Sequence, residues 1–257
     1  MKKLISWLVR YVPRKYLQVI SGTGLRVAGW WLKGKGSECG ICGNSYRRFL
    51  PYGRLRARAN ALCPGCLSLE RHRLIWRYLH EHTGFFQRDL DVLHIAPEQC
   101  FIAPFTRQHG DRYVTADLES PWAKVHMDIH QMPFADGSFD VVLCNHVLEH
   151  VQDDIQAMRE ICRVLRPGGW AILQIPFFKP VPAQTFSDDS VTGKRERERL
   201  FGQADHVRRY GTDYPDRIAQ SGLHPVLEDF AFRLTAEECD AGGLVPEIIH
   251  IGKRESA

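Results

Sequence analysis

Four cysteines stand as two pairs, Cys39-Gly-Ile-Cys42 and Cys63-Pro-Gly-Cys66, separated by 20 residues. Each two-residue spacing turns two thiolates to the same side of a tight turn, and four soft ligands so arranged suit a tetrahedral Zn2+ with no open position. The pairs therefore predict a structural zinc site rather than a catalytic one. A redox role would serve either Cys-x-x-Cys alone, but it does not need the second pair. The other four cysteines, Cys100, Cys144, Cys162 and Cys239, are scattered. A paired set plus scattered free thiols fits a reducing cytoplasm with one metal site.

Two aspartates and a polar loop carry the remaining chemistry. Asp117 follows one apolar run and Asp128 lies in the next. In an open α/β sheet, ligands bind beyond the carboxyl ends of the strands. A carboxylate at the end of the second strand can accept both ribose hydroxyls, and one at the third can accept from an adenine amino group. Each alone is more often a loop or capping aspartate; together on one rim they favour an adenosine ligand. The loop "FGQADHVRRYG" (201–211) holds Gln203, Asp205, His206, Arg208, Arg209 and Tyr210. It is read as the acceptor side of the site, with Arg208 and Arg209 directed at an anionic group. His206 is the candidate for acceptor binding or deprotonation, with His146 a second candidate and His150 expected to be structural. The preceding "GKRERERL" is read as a solvated helix face.

These residues need elements to hold them. Strands are predicted at 90–95, 112–118, 125–129 (with Asp128 inside the third) and 139–145. A helix follows over 153–169, started by aspartate, with Ile155, Met158, Cys162 and Leu165 on one face and Pro167-Gly168-Gly169 as its stop. A fifth strand covers 170–176, and 225–232 with 247–253 form a final pair. Strands alternating with helices predict an α/β, Rossmann-like, doubly wound and mostly parallel seven-stranded sheet with helices on both faces. The chain divides into a basic amphipathic arm (1–36), a zinc module with its linker helix (37–83) and a main domain (84–257). Residues 177–213 of the main domain form a substrate-side insertion. The linker helix is expected to begin with a Ser68 cap and to bury Leu69, Ile75, Trp76 and Leu79.

The run "DIHQMPFADGSFDVVLCNHVLEHV" (128–151), followed by "EICRVLRPGGWAILQIP" (160–176), resembles the class I S-adenosylmethionine-dependent methyltransferases, in the small-molecule branch that carries "HVLEH" after the fourth strand. The resemblance implies S-adenosyl-L-methionine as cofactor. Asp117, with Leu118 beside it, matches the ribose-binding acid; Asp128 with Ile129 matches the adenine contact; Asn145 with His146 matches the loop under the methionine moiety. The first motif departs from the family. His94 stands in the acid's place, and Ala96, Glu98 and Cys100 stand where three glycines are usual. A β-carbon at each glycine position narrows the approach to a ligand. The expectation is a remodelled loop in which Glu98 reaches the cofactor's amino group, as in subclasses that resemble this chain in their "LHIAPE". The contrary reading is a fold that no longer binds cofactor, a zinc-dependent scaffold.

The net charge of +4 is uneven: residues 1–36 carry eight basic residues and no acid, leaving the other 221 at −4. Basic residues mixed with Trp7, Trp30 and Trp31 suit a helix at an anionic membrane surface, or alternatively an arm packed on protein. No apolar run of spanning length and no cleaved secretory signal is expected. A small-molecule, glycan- or lipid-linked acceptor at the cytoplasmic membrane face is the leading expectation, in a bacterial surface-polysaccharide setting. Nucleic acid is less favoured. The arginines around the zinc module suit RNA, but "NHVLEH" lacks the Asn/Asp-Pro-Pro-aromatic signature of base-amine methylation.

Overall fold

The computed structural model describes residues 29–53 and 57–256, so most of the basic arm lies outside the described residues. The chain divides into two compact units. The smaller comprises residues up to Arg88, Glu98–Gln108 and Asp229–Glu247; the larger comprises Asp89–Pro97, His109–Glu228 and the segment from Ile248 onward. The smaller unit thus extends beyond the 37–83 span read from the cysteines.

In the smaller unit, β1 (Lys33–Glu38) pairs with β2 (Ser45–Tyr46), and β3 (Leu50–Tyr52) with β4 (Arg58–Leu62), as two antiparallel ribbons. Helix α1 (Glu70–Glu81) follows, starting at Leu69 rather than at a Ser68 cap; its first-turn N–H at Leu69 bonds His72 Nδ1 at 3.1 Å. Leu74, Ile75, Tyr78 and Leu79 line its buried face. Trp76, only partly buried, stacks nearly parallel to Phe101 and Phe105 of α2 (Gln99–His109). Amid the apolar interior of this unit, which includes Phe49, Leu74, Phe85 and Phe105, Arg73 ties several loops together. The buried guanidinium donates to the carbonyls of Ser68, Ala61, Gly242 and Gly243 and lies 4.4 Å over the Phe49 ring.

The larger unit is built on one seven-stranded sheet. It contains β5 (Val92–Ile95), β6 (Tyr113–Asp117), β7 (Val125–His126), β8 (Phe139–Asn145), β9 (Leu165–Gln174), β12 (His224–Glu228) and β13 (Ile249–Lys253), in the order β12-β13-β9-β8-β5-β6-β7. The five strands from β9 to β7 are parallel, and β13 runs antiparallel between β9 and β12. This is the expected Rossmann-like, mostly parallel seven-stranded fold. The continuous apolar runs of β5 and β8 are buried on both faces, as central parallel strands require.

Three boundaries differ from the sequence reading. β7 is only two residues long, so Asp128 and Ile129 follow it in a turn instead of lying within a strand. Between β8 and β9, helix α3 (Asp154–Val164) is capped by Asp153, whose side chain accepts from the Gln156 N–H at 2.9 Å. It ends at Val164, and Pro167-Gly168-Gly169 belongs to β9, where the register slips against β8. Gly169 is required there: a β-carbon would sit 2.9 Å from the carbonyl oxygens of both Arg166 and Asp140. The buried face of α3 runs through Ala157, Met158, Ile161 and Val164, leaving Ile155 and Cys162 at its margin. The insertion folds as the short ribbon β10 (Phe186–Ser187) with β11 (Arg208–Arg209), and helix α4 (Lys194–Phe201). Helix α5 (Tyr214–Gln220) then packs on α3.

Candidate active site

The two cysteine knuckles converge in the smaller unit. Cys39 Sγ lies 3.6 Å from Cys66 Sγ and Cys42 Sγ 3.7 Å from Cys63 Sγ. A tetrahedral zinc ion with bonds of about 2.3 Å has sulfur–sulfur edges of about 3.8 Å, so the spacing fits the ion. Each knuckle is closed by a backbone bond, Gly43 N–H to Cys39 O at 2.8 Å and Leu67 N–H to Cys63 O at 2.9 Å. Ser68 serves this cluster: its Oγ lies 3.4 Å from Cys39 Sγ and 3.2 Å from Cys66 Sγ.

In the larger unit, the carboxyl ends of β5 and β8 lie side by side, with Ile95 opposite Cys144. The residues that leave these ends, Ala96 and His146, both take left-handed backbone conformations, φ 50° and 54°. Ala96 N–H donates to Ala116 O at 2.8 Å and His146 N–H to Gln174 O at 2.7 Å, which pins both turns to the neighbouring strand. The glycine-poor loop therefore begins with the backbone conformation that glycine would supply, held by alanine at a cost of about 1–2 kcal/mol. Between the two turns, the Asn145 side chain is buried, and neither its amide oxygen nor its nitrogen has a hydrogen-bond partner among the described residues. Leaving such a group without a partner costs about 1–3 kcal/mol, so an unbonded amide at a sheet rim is suited to a polar ligand.

Asp117 ends β6 on the same rim, its Oδ1 accepting from the N–H groups of Glu119 and Ser120; Leu118 beside it is exposed. Asp128 accepts from both the backbone N–H and the ring of His130, and the backbone bond foremost holds its carboxyl below the ordinary range. Ile129 is buried in the sheet's core. His94 is not at the rim. It is buried within β5 with Nδ1 2.7 Å from the Tyr113 hydroxyl. Glu98 belongs to the smaller unit, where its carboxylate lies 3.7 Å from His72 Nε2.

The polar loop of the insertion only partly meets its expected role. His206 is buried with Nδ1 3.2 Å from Phe201 O, and its Nε2 has no partner among the described residues. Burial foremost holds its pKa below the ordinary histidine value. Gln203 and Asp205 are exposed. Arg208, expected to bind an anionic acceptor, is instead buried: it donates to the carbonyls of Leu148, Val151 and Gln152 and lies 3.6 Å from the Asp154 carboxylate. Arg209 donates to Phe178 O and Pro180 O. Tyr210 is buried and donates to Asp154 Oδ2 at 2.9 Å. All three hold the loop against the domain, because "RRY" lies in and just after a strand instead of on a free tip.

Two residues absent from the sequence-derived site belong to this cluster. Glu149 is buried, with Oε1 3.2 Å from His146 Nδ1. Burial raises its pKa, but the His146 hydrogen bond and the charges of His146 and His150 outweigh that and hold it low. His150 was expected to be structural on the ground that "LEH" opens toward a helix. Its ring meets the His206 ring edge-on at 4.8 Å, and its Nδ1 lies 3.1 Å from Asp205 O. The adjacent Glu-His pair just past a parallel strand was the available signal.

Residues 93–173 match the family model described as a methyltransferase domain. An uncharacterized methyltransferase of Mycobacterium sp. (strain KMS) is 37% identical over 150 residues, covering 57% of this chain and 54% of that protein. The 27-O-demethylrifamycin SV methyltransferase of Amycolatopsis mediterranei (strain S699) is 31% identical over 116 residues, covering 45% of this chain and 40% of that protein. Among solved structures, the Burkholderia thailandensis 1,6-didemethyltoxoflavin-N1-methyltransferase with bound S-adenosylhomocysteine aligns at 17% identity and TM-score 0.46, over 72% of this chain and 83% of that one. The chain spans about half, or less, of the length of the curated relatives it matches. The matched segment runs from β5 to β9, both strands of the larger unit. No helix among the described residues is long and apolar enough to cross a membrane.

Proposed function

We propose that the chain is an S-adenosylmethionine-dependent methyltransferase acting on a small-molecule or glycan- or lipid-linked acceptor, with a structural zinc in its Cys39-Cys42-Cys63-Cys66 cluster. The observation that carries this reading is the rim of β5 and β8: two left-handed turns at Ala96 and His146 flanking a buried Asn145 amide without a partner among the described residues. A polar rim of this kind suits the cofactor's polar groups, with Asp117 and Leu118 at the ribose and Asp128 and Ile129 toward the adenine. When bound, the cofactor supplies a sulfonium-activated methyl group. The chain's own residues then act mainly by positioning, which can supply the equivalent of about 10⁵–10⁸ M effective concentration. The acceptor lies against His146 and His206, and the buried wall behind them excludes water.

The relative named for a rifamycin-type acceptor supports a small-molecule substrate. The anionic acceptor expected from Arg208 and Arg209 loses its support, since both guanidiniums bond backbone carbonyls. For the basic arm we retain a peripheral membrane contact; Trp30 and Trp31, exposed at its end, support it. Calorimetric titration with S-adenosylmethionine and S-adenosylhomocysteine, with Asp117→Ala alongside, tests the main reading. Micromolar binding by the wild type that is lost in the variant is expected. A folded wild type that binds neither compound leaves the scaffold reading in its place.

A further inference from the structure

Glu149, His150 and His206 each offer a metal-ligating atom, and the three atoms lie within 4.8 Å of one another. Two imidazoles and one carboxylate form a donor set suited to Zn2+, Mn2+, Fe2+ or Co2+. We propose that Glu149, His150 and His206 form a second metal site, distinct from the four-cysteine cluster, which holds a divalent cation with open positions for oxygen donors.

Three features support the assignment. The first is the state of the two histidines. His206 Nδ1 faces Phe201 O and His150 Nδ1 faces Asp205 O, at 3.2 and 3.1 Å. A carbonyl oxygen can only accept, so each Nδ1 carries a proton, and in the neutral tautomer this sets, the ring's lone pair lies on Nε2. Metal-bound histidines are held in this way, with the distal N–H donated to a carbonyl or carboxylate.

The second feature is burial without partners. Glu149 and His206 are each 1% exposed, and Glu149 Oε2 and His206 Nε2 have no hydrogen-bond partner among the described residues. A buried carboxylate oxygen and a buried ring nitrogen left in this state, on residues whose ligating atoms cluster within 4.8 Å, lack what a cation would supply.

The third is orientation. His146 Nδ1 lies 3.2 Å from Glu149 Oε1, which leaves Oε2 as the carboxylate oxygen without a partner among the described residues. Ligand bonds of about 2.0–2.2 Å bring donor atoms to roughly 3.0–3.5 Å. Ligating atoms now as much as 4.8 Å apart therefore draw in by up to about 1.3–1.8 Å.

Three protein ligands leave positions for water or for a hydroxyl or carboxylate oxygen of the acceptor. That last role rests on the methyltransferase reading and narrows its acceptors to those with an oxygen donor; the cation site itself does not depend on that reading.

The test uses the full chain, isolated with its four-cysteine site filled, and titrates Mn2+ and Co2+ by calorimetry and absorbance. One further equivalent is expected. Co2+ should give weak visible bands without the intense near-ultraviolet charge transfer of a thiolate site. Glu149→Gln, close to isosteric, and His150→Ala should each weaken this equivalent at least tenfold, in line with losses seen when metal ligation is disturbed. Asp117→Ala should keep the cation and lose S-adenosylmethionine. A wild type that takes up no further equivalent, or a Glu149→Gln protein that binds as tightly as wild type, overturns the site even where cofactor binds. Cation binding without cofactor binding would sink the methyltransferase reading and leave the site standing.

Discussion

Ala96 and His146 leave neighbouring parallel strands in the same left-handed conformation, at φ 50° and 54°, and each is pinned by a backbone bond to the next strand. Ordinary L-residues reach this region at a cost of about 1–2 kcal/mol, and β-branched residues at more. Ala96→Val is therefore expected to lower the melting temperature by several degrees and to weaken S-adenosylmethionine binding at least tenfold. Ala96→Gly should match or exceed wild type in both, because relief of the Cβ contact offsets the added freedom of the unfolded chain. Thermal melts and calorimetry on the two variants check this. A valine variant that melts and binds like wild type would show that the turn is not strained.

Arg208 is a structural residue, and its replacement should show that. It bonds three carbonyls and faces Asp154, whose carboxyl is also held by Arg217 and Tyr210. Burial raises the Asp154 pKa, but the Arg217 hydrogen bond and the Arg208 and Arg217 charges outweigh it, so the group is ionised. Removing one cation from a buried pair costs about 3–5 kcal/mol. Arg208→Met should lose that much in urea unfolding. A variant of native stability with only a raised KM for acceptor would return Arg208 to the substrate.

How much of this was legible beforehand depended on range. The sheet was readable because "VLHI" and "VVLC" are continuous apolar runs, which only a doubly covered strand buries. The cysteine knuckles were readable because their geometry is local. Helix α3 was read as too long, since the Pro-Gly-Gly stop suits a helix end but here lies in a bulged strand. The roles of Arg208 and Tyr210 were out of reach: their partners Leu148, Val151 and Asp154 lie more than fifty residues away, and a charged loop looks the same whether it binds a substrate or its own backbone. The meeting of His150 with His206 was out of reach for the same reason, because only the fold brings the two rings together.

The smaller unit should depend on its metal. Its four sulfurs are spaced for one ion, and its buried residues include Arg73, a guanidinium whose pKa is lowered chiefly by desolvation. Structural zinc binding contributes directly to folding. Cys63→Ser and prolonged chelation are each expected to remove one zinc per chain and to abolish protection of α1 amides from hydrogen exchange. Cys144→Ser should leave the zinc count unchanged. Full protection of α1 in metal-free protein would show that the unit folds without the ion.

His250 gives a pH dependence of defined sign. It is buried beside the rings of Tyr214 and Phe177, at 5.1 and 5.4 Å, and its Nδ1 has no partner among the described residues. Burial lowers its pKa to about 4, whereas an unfolded histidine titrates near 6.5. Between those values the unfolded chain holds a proton that the folded chain excludes. The stabilising contribution of neutral His250 is therefore complete above about pH 6.5 and is lost as pH falls toward 4, amounting to about 3 kcal/mol. Tyr214 does not oppose this, since burial foremost raises its phenol pKa and it stays neutral throughout. Urea midpoints between pH 7.5 and 4.5 should fall more steeply for wild type than for His250→Phe, which cannot titrate. Parallel profiles for the two proteins would mean that this ring is hydrated or paired in solution and sets no part of the acid limit.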